Sequence, residues 1–277
     1  MRTTRMLLPR CSTIAIAAIA SLCHAQGGFV DVAGRVGLAE YRATMGDDHG
    51  PGGVFADLDN DGYPDLYLVR ALVLGPPGTN QLFMNRPGPD GTRVFVEAPG
   101  AAGADDPGPA TGAIAADYDN DGDLDLYVVN FDGANVLYRN TLVETGTLSF
   151  TDVTASTDPT PGIDDDQHGV GIAYYDGVAL DNGLTAAWAD VDRDGLLDLY
   201  VGNHNGYYKG VRPIEGPFDV PGRRDVLYKN NGDGTFTDIT MDAGVPGWQG
   251  PAGEHQTDTQ RFSSSNAVVF ADLDADG

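Results

Sequence analysis

Asp57-Leu58-Asp59-Asn60-Asp61-Gly62-Tyr63-Pro64-Asp65 decides how this chain reads, because it returns as Asp117-Tyr-Asp-Asn-Asp-Gly-Asp-Leu-Asp125 and as Asp190-Val-Asp-Arg-Asp-Gly-Leu-Leu-Asp198. A fourth copy, Asp272-Leu-Asp-Ala-Asp-Gly277, carries the first three carboxylates of the pattern. Acidic side chains at positions 1, 3, 5 and 9, with Gly at 6 for the sharp turn, are what a hard cation needs from one tight loop. The candidate ligands are Asp57, Asp59, Asp61 and Asp65; Asp117, Asp119, Asp121, Asp123 and Asp125; Asp190, Asp192, Asp194 and Asp198; and Asp272, Asp274 and Asp276. Backbone carbonyls at position 7, of Tyr63, Asp123 and Leu196, offer a further oxygen to each complete loop.

The alternative reading is a solvated acidic turn. Two carboxylates about 4 Å apart repel by roughly 4 kcal/mol at an effective dielectric near 20, so four converging carboxylates strain an empty loop. A bound cation removes that strain. An oxygen-only, partly carbonyl shell rich in carboxylates favours calcium over magnesium.

These loops are not EF-hands, which place a bidentate Glu at position 12 between two helices. Here position 12 is Leu68, Val128 and Val201. Short apolar runs flank each loop instead: Gly53-Val-Phe-Ala56 before and Leu66-Tyr-Leu-Val69 after, Ala113-Ile-Ala-Ala116 and Leu126-Tyr-Val-Val129, Ala186-Ala-Trp-Ala189 and Leu199-Tyr-Val-Gly202. Ala267-Val-Val-Phe-Ala271 precedes the fourth. Such runs predict buried strands, so each loop joins two strands.

Two more strand signals follow in each unit. Asn80-Gln-Leu-Phe-Met-Asn85 recurs as Asn135-Val-Leu-Tyr-Arg-Asn140 and Asp225-Val-Leu-Tyr-Lys-Asn230, and Val94-Phe-Val-Glu97 recurs as Phe150-Thr-Asp-Val-Thr154 and Phe236-Thr-Asp-Ile-Thr240. Between the last pair, Asn231-Gly-Asp-Gly234 predicts a hairpin turn with Gly and Asn at positive φ. Four-stranded units repeating at this scale predict an all-β fold, the blades of a β-propeller. The units fall at about 52–97, 111–154, 184–240 and 266–277, with insertions at 155–183 and 204–224. Phe29-Val-Asp-Val-Ala33 reads as a lone fourth strand of the kind that completes the last blade of a ring, with its partner strands beyond residue 277.

Arg2, Arg5 and Arg10 precede an apolar run from Ile14 to Leu22, and Ala25 suits cleavage before Gln26. Residues 1–25 therefore read as a secretory signal peptide, leaving 26–277 as the propeller repeats. The run is shorter than the roughly 20 residues of a spanning helix, and no later stretch is long and apolar enough for one. Both cysteines, Cys11 and Cys23, lie in this leader, which excludes a disulfide scaffold and a cysteine nucleophile from the mature chain. The predicted location is extracellular or cell-surface, with the periplasm as a further possibility.

The formal net charge is −25, and removal of the leader takes away three arginines and no acid. Sixteen of the 41 acidic residues are aspartates of the four loops, so bound metal would neutralise much of this charge. The remaining acidic surface argues against nucleic acid and anionic membranes, which are bound through Lys and Arg.

The unit Asp-x-Asp-x-Asp-Gly-x-x-Asp-Leu-Tyr, then Asn-x-Leu-Tyr-x-Asn, then Asn-Gly-Asp-Gly-Thr-Phe-Thr-Asp-Ile-Thr resembles the FG-GAP/VCBS repeat of integrin-α-like propellers. The third unit, running on through Ala243-Gly244-Val245, is most similar to secreted bacterial relatives of cartilage acidic protein. The resemblance implies calcium at the loop positions named above. It also implies a ring of six to eight blades, of which this chain would be a part.

No Gly-x-Ser-x-Gly, His-Glu-x-x-His or P-loop pattern occurs, and nothing in the sequence identifies a reaction. His49 and His168 share an acidic loop context; they either line a common mouth of the propeller or are exposed loop histidines beside acids. The recurrent Tyr67, Tyr127, Tyr200, Phe83, Tyr138 and Tyr228 read as packing between blades. Tyr174, Tyr175, Tyr207, Tyr208 and Trp248, in unit-specific stretches, are candidates for contacting a ligand or covering an edge. Three functions remain open at this stage: a calcium-stabilised module that binds or adheres to a protein or glycan, an extracellular polysaccharide lyase or hydrolase, and a structural segment of a larger surface protein.

Overall fold

The structure, a computed structural model, describes residues 30–38, 52–70, 79–130, 134–157, 170, 174–175, 178–179, 183–203, 225–244 and 268–270. The signal-peptide reading, the fourth loop, His49, His168, Tyr207, Tyr208 and Trp248 lie outside these residues.

Each of the first three predicted units is a four-stranded antiparallel meander. The first contains β1 (Gly53–Ala56), β2 (Asp65–Leu68), β3 (Gln81–Pro87) and β4 (Arg93–Ala98). The second contains β5 (Ala110–Ala116), β6 (Asp125–Asn130), β7 (Val136–Asn140) and β8 (Phe150–Asp152), with a four-residue helix α1 (Leu142–Thr145) in its last hairpin. A small pair, β9 (Tyr174–Tyr175) and β10 (Val178–Ala179), sits in the following insertion. The third meander is β11 (Gly183–Ala189), β12 (Asp198–Asn203), β13 (Val226–Asn230) and β14 (Phe236–Asp238). Register places every acidic loop alike: its hairpin closes on the pairs Ala56 with Asp65, Ala116 with Asp125, and Ala189 with Asp198.

Strand periodicity explains how the sheets stack. Successive side chains of a strand point to opposite faces. In β6, Leu126 and Val128 therefore enter one core with Tyr67, Leu82 and Met84 of the first sheet. Tyr127 and Val129 enter a second core with Ala186, Leu199, Val201 and Phe236 of the third. The middle sheet is buried on both faces, and β6 is buried along its whole length. Tyr67 and Tyr127 are fully buried, and their hydroxyls donate to the carbonyls of Ala104 and Val170 at 2.7 Å.

The first strands of the three sheets adjoin one another, β1 against β5 and β5 against β11. Thr111 Oγ1 donates to Gly183 O at 2.9 Å. Gly52 lies so close to β5 that a Cβ there would meet Thr111 O at 2.6 Å. Sheets packed face to face with their first strands along one side are propeller blades, here an open run of three among the described residues.

Two expected strands differ. Residues 30–33, the described part of the expected lone strand Phe29–Ala33, carry no strand; residues 33–37 form a turn, and Phe95 N donates to Val36 O at 2.7 Å. No described strand flanks them to complete a ladder, and an extended segment is held chiefly by its neighbours. The turn nevertheless has a recurring place: Gly37, at φ 89°, fits under Phe95 O as Gly103, at φ 102°, fits under Phe150 O. Residues 268–270 likewise carry no strand. Phe270 still meets Tyr200 edge-on at 6.1 Å, repeating the contact of Trp188 with Tyr127 at 6.2 Å. In the Asn231–Gly234 turn the positive-φ residues are Gly232 and Gly234 and not Asn231.

Candidate metal centres

The three described loops share one internal frame. The position-1 carboxylate accepts the amides of positions 5 and 6: Asp57 from Asp61 and Gly62, Asp117 from Asp121 and Gly122, and Asp190 from Asp194 and Gly195, all between 2.8 and 3.1 Å. The position-5 carboxylate accepts the amide of position 7, joining Asp61 to Tyr63, Asp121 to Asp123 and Asp194 to Leu196. Such a frame needs left-handed backbone at positions 4 and 6. Gly62, Gly122 and Gly195 supply it, with Asn60, Asn120 and Arg193 at φ 56°, 58° and 64°. Asn tolerates that region; Arg is strained there.

Position 9 is a structural rivet. Asp65 accepts Leu58 N at 3.1 Å and Asn85 N at 2.7 Å, Asp125 accepts Tyr118 N and Asn140 N, and Asp198 accepts Val191 N and Asn230 N. Each thus ties its loop to the third strand of the same blade. All three are buried. Loss of solvent pushes the Asp65 carboxyl up to about 6 and that of Asp125 up to about 8, and raises Asp198, against the opposing pull of the amide bonds.

Among the described residues the carboxylates gather in four groups whose ligand atoms lie within 4.8 Å of one another: Asp57, Asp59 and Asp61; Asp117, Asp119 and Asp125; Asp121, Asp123 and Glu144; and Asp190, Asp192 and Asp194. The loops differ in what balances this charge. In the first, Arg86 reaches Asp59 at 2.7 Å and Asp61 at 3.3 Å. Arg93 also approaches Asp61, its guanidinium lying over the exposed Tyr63 ring. In the third, Lys229 hydrogen-bonds Asp192 and Asp194, which lowers the Asp194 carboxyl. In the second, Arg139 occupies the strand position of Lys229, but its Nε makes no hydrogen bond. Burial, followed by the neighbouring Asp121 and Asp117, pushes Asp119 up to about 6.

Four loop oxygens are buried without any hydrogen bond: Asp59 Oδ1, Asp119 Oδ1, Asp121 Oδ2 and Asp123 Oδ1. A buried carboxylate oxygen that accepts nothing is costly, and a hard divalent cation relieves that cost where another acid cannot. The donor set, entirely oxygen, fits such an ion.

Against known families, the chain matches the FG-GAP-like repeat at residues 57–128 and again at 117–201, together more than half of its 277 residues. The chain belongs to the FG-GAP-like repeat family. Each match in this FG-GAP-like protein starts on an acidic loop and runs into the second strand of the next blade. No curated protein matches the chain. Among the described residues no helix is long and apolar enough to cross a membrane.

Sequence reading missed how the FG-GAP-like loops are chained together. Asn60 Nδ2 donates to Gly122 O and Asn120 Nδ2 to Gly195 O, both at 3.1 Å, so position 4 of one loop holds position 6 of the next. In the reverse direction, Asn140 Nδ2 donates to Leu58 O and Asn230 Nδ2 to Tyr118 O. The signal was present as an Asn at position 4 of the first two loops and as Asn85, Asn140 and Asn230 in the third strands. Glu144, on α1, had no counterpart in the other units to draw attention to it.

Proposed function

We propose that this chain is the calcium-binding propeller segment of a secreted or cell-surface protein and presents a binding face to a protein or glycan partner. The observation that carries this reading is the repeated carboxylate loop between the first two strands of every described blade, with buried oxygens that accept no hydrogen bond in the first two. Calcium there acts on structure. It holds each strand connection rigid, so that neighbouring loops keep the shape a ligand meets.

Supporting the extracellular setting are the leader-like residues 1–25 and the likeness of the third unit to secreted bacterial relatives of cartilage acidic protein. Millimolar extracellular calcium is also the regime in which modules of modest affinity stay loaded.

The test is retention of the protein on a panel of polysaccharides, with calcium and with chelator, while the supernatant is assayed for released sugar. Calcium-dependent retention without release is expected of a binding module. Released sugar would replace this reading with a lyase or hydrolase. Absence of both would remove the glycan and leave a protein partner or a structural role.

A further inference from the structure

We propose that the second blade holds a second cation beside its loop ion, on Asp121, Asp123 and Glu144. The inference rests on the reading of the loops as calcium sites, but it concerns residues outside the shared pattern. Position 7 is Tyr63 in the first loop and Leu196 in the third; only the second loop has a carboxylate there, Asp123. Glu144 comes from α1, in a β7–β8 connection longer than the Asn231–Thr235 turn of the third blade.

Geometry separates this group from the loop site. In the first and third loops the position-5 aspartate stands with positions 1 and 3. In the second, Asp117 and Asp119 gather with Asp125, while Asp121 gathers with Asp123 and Glu144. Asp121 thus stands with the second group; its Oδ1 accepts Asp123 N at 3.1 Å, which leaves Oδ2 for an ion.

Asp123 supplies the independent sign of a ligand. Its side chain is 1% exposed, in contrast to the solvated surface acids that form clusters by chance. One oxygen, Oδ2, accepts Val143 N at 2.8 Å, which fixes the carboxylate against α1. The other, Oδ1, is buried and accepts nothing, and Asp121 Oδ2 is in the same condition. Two buried, unsatisfied carboxylate oxygens beside a third carboxylate repel one another strongly unless a cation joins them. Arg86 and Lys229 offset part of the charge of the first and third loops; no such ion pair reaches Asp121 or Asp123 among the described residues. Glu144 is exposed, so water can complete the six to eight oxygens that a hard ion takes.

The experiment counts calcium bound to the full chain by equilibrium dialysis and calorimetric titration from the metal-free state. Asp123→Asn keeps an oxygen to accept Val143 N, and Glu144→Gln changes an exposed side chain, so neither disturbs the blade. Each is expected to lower the number of calcium equivalents bound by one relative to the parent chain, through the loss of one charged ligand. If the parent binds no calcium, the loop reading fails and this inference falls with it. If the parent binds calcium and both variants bind as many equivalents with unchanged affinity, this inference alone is overturned. A shift in affinity of the loop ion with the count unchanged overturns it as well, since one ion then uses both groups.

Discussion

Asp125 is buried on the floor of the second loop, fastened by two backbone amides and adjoining Asp117 and Asp119. Burial raises its carboxyl from 3.8 to about 8, and that of Asp65 from 3.8 to about 6. Without metal, the folded chain therefore holds protons that the unfolded chain has already released between those values. The folded state binds more protons in that window, so stability is greatest at its acid end and is lost as pH rises through about 6 and then 8. In chelator, the melting temperature is expected to fall between about pH 5 and about pH 8, and Asp125→Asn, which cannot ionise, should flatten the upper part of the fall. Saturating calcium should reduce the slope, because the ion binds the carboxylate form. A melting temperature that rises with pH in chelator would show that the amide bonds, and not burial, govern these groups.

At the level of strands and loops, the contact that repeats is an aromatic two residues before a loop's first aspartate, laid on the tyrosine of the preceding blade. Trp188 meets Tyr127 and Phe270 meets Tyr200 in this way, whereas Phe55, at the same position of β1, is 62% exposed and touches Phe95 of its own blade. Trp188→Ala is expected to lower unfolding free energy by about 3 kcal/mol, while Phe55→Ala changes it by less than about 1 kcal/mol. Denaturant midpoints of the two variants check this, and equal losses would contradict the assigned packing. Much of this order was legible beforehand. The acidic loop repeats with its flanking apolar runs, so one unit taught the reading of the next, and each loop does join two strands. What was not legible depends on neighbours. The bond from Asn140 to Leu58 O spans 82 residues, and that from Asn60 to Gly122 O spans 62. A repeat shows that a residue recurs, not which blade it faces. Glu144 stayed hidden because it belongs to one hairpin alone, and Phe29–Ala33 was read as a strand because its apolar alternation copies β8 and β14 without their partners.

Across the molecule the loops form one connected row, since each is bonded to the next through Asn60, Asn120, Asn140 and Asn230. An ion bound in one blade would therefore stiffen the loop of its neighbour, and the middle blade, packed on both faces, is bonded to both. The row is uneven in charge. Arg86 and Lys229 already satisfy part of the first and third loops, while the second has more carboxylates and several buried oxygens without partners. Most of the calcium-dependent stability should then reside in the second blade. At a calcium concentration about 100 times the dissociation constant, one site stabilises by about 2.7 kcal/mol. For a chain of this size that corresponds to about 5–10 °C of melting temperature, lost on exhaustive chelation. Asp119→Ala is expected to abolish most of this calcium response, and Asp192→Ala, in the loop that Lys229 partly neutralises, only a minor part. Equal losses in the two variants would mean that Lys229 leaves the third loop when calcium arrives and that the blades are equivalent sites. Melting unchanged by chelation in the parent chain would remove calcium from the structural account altogether.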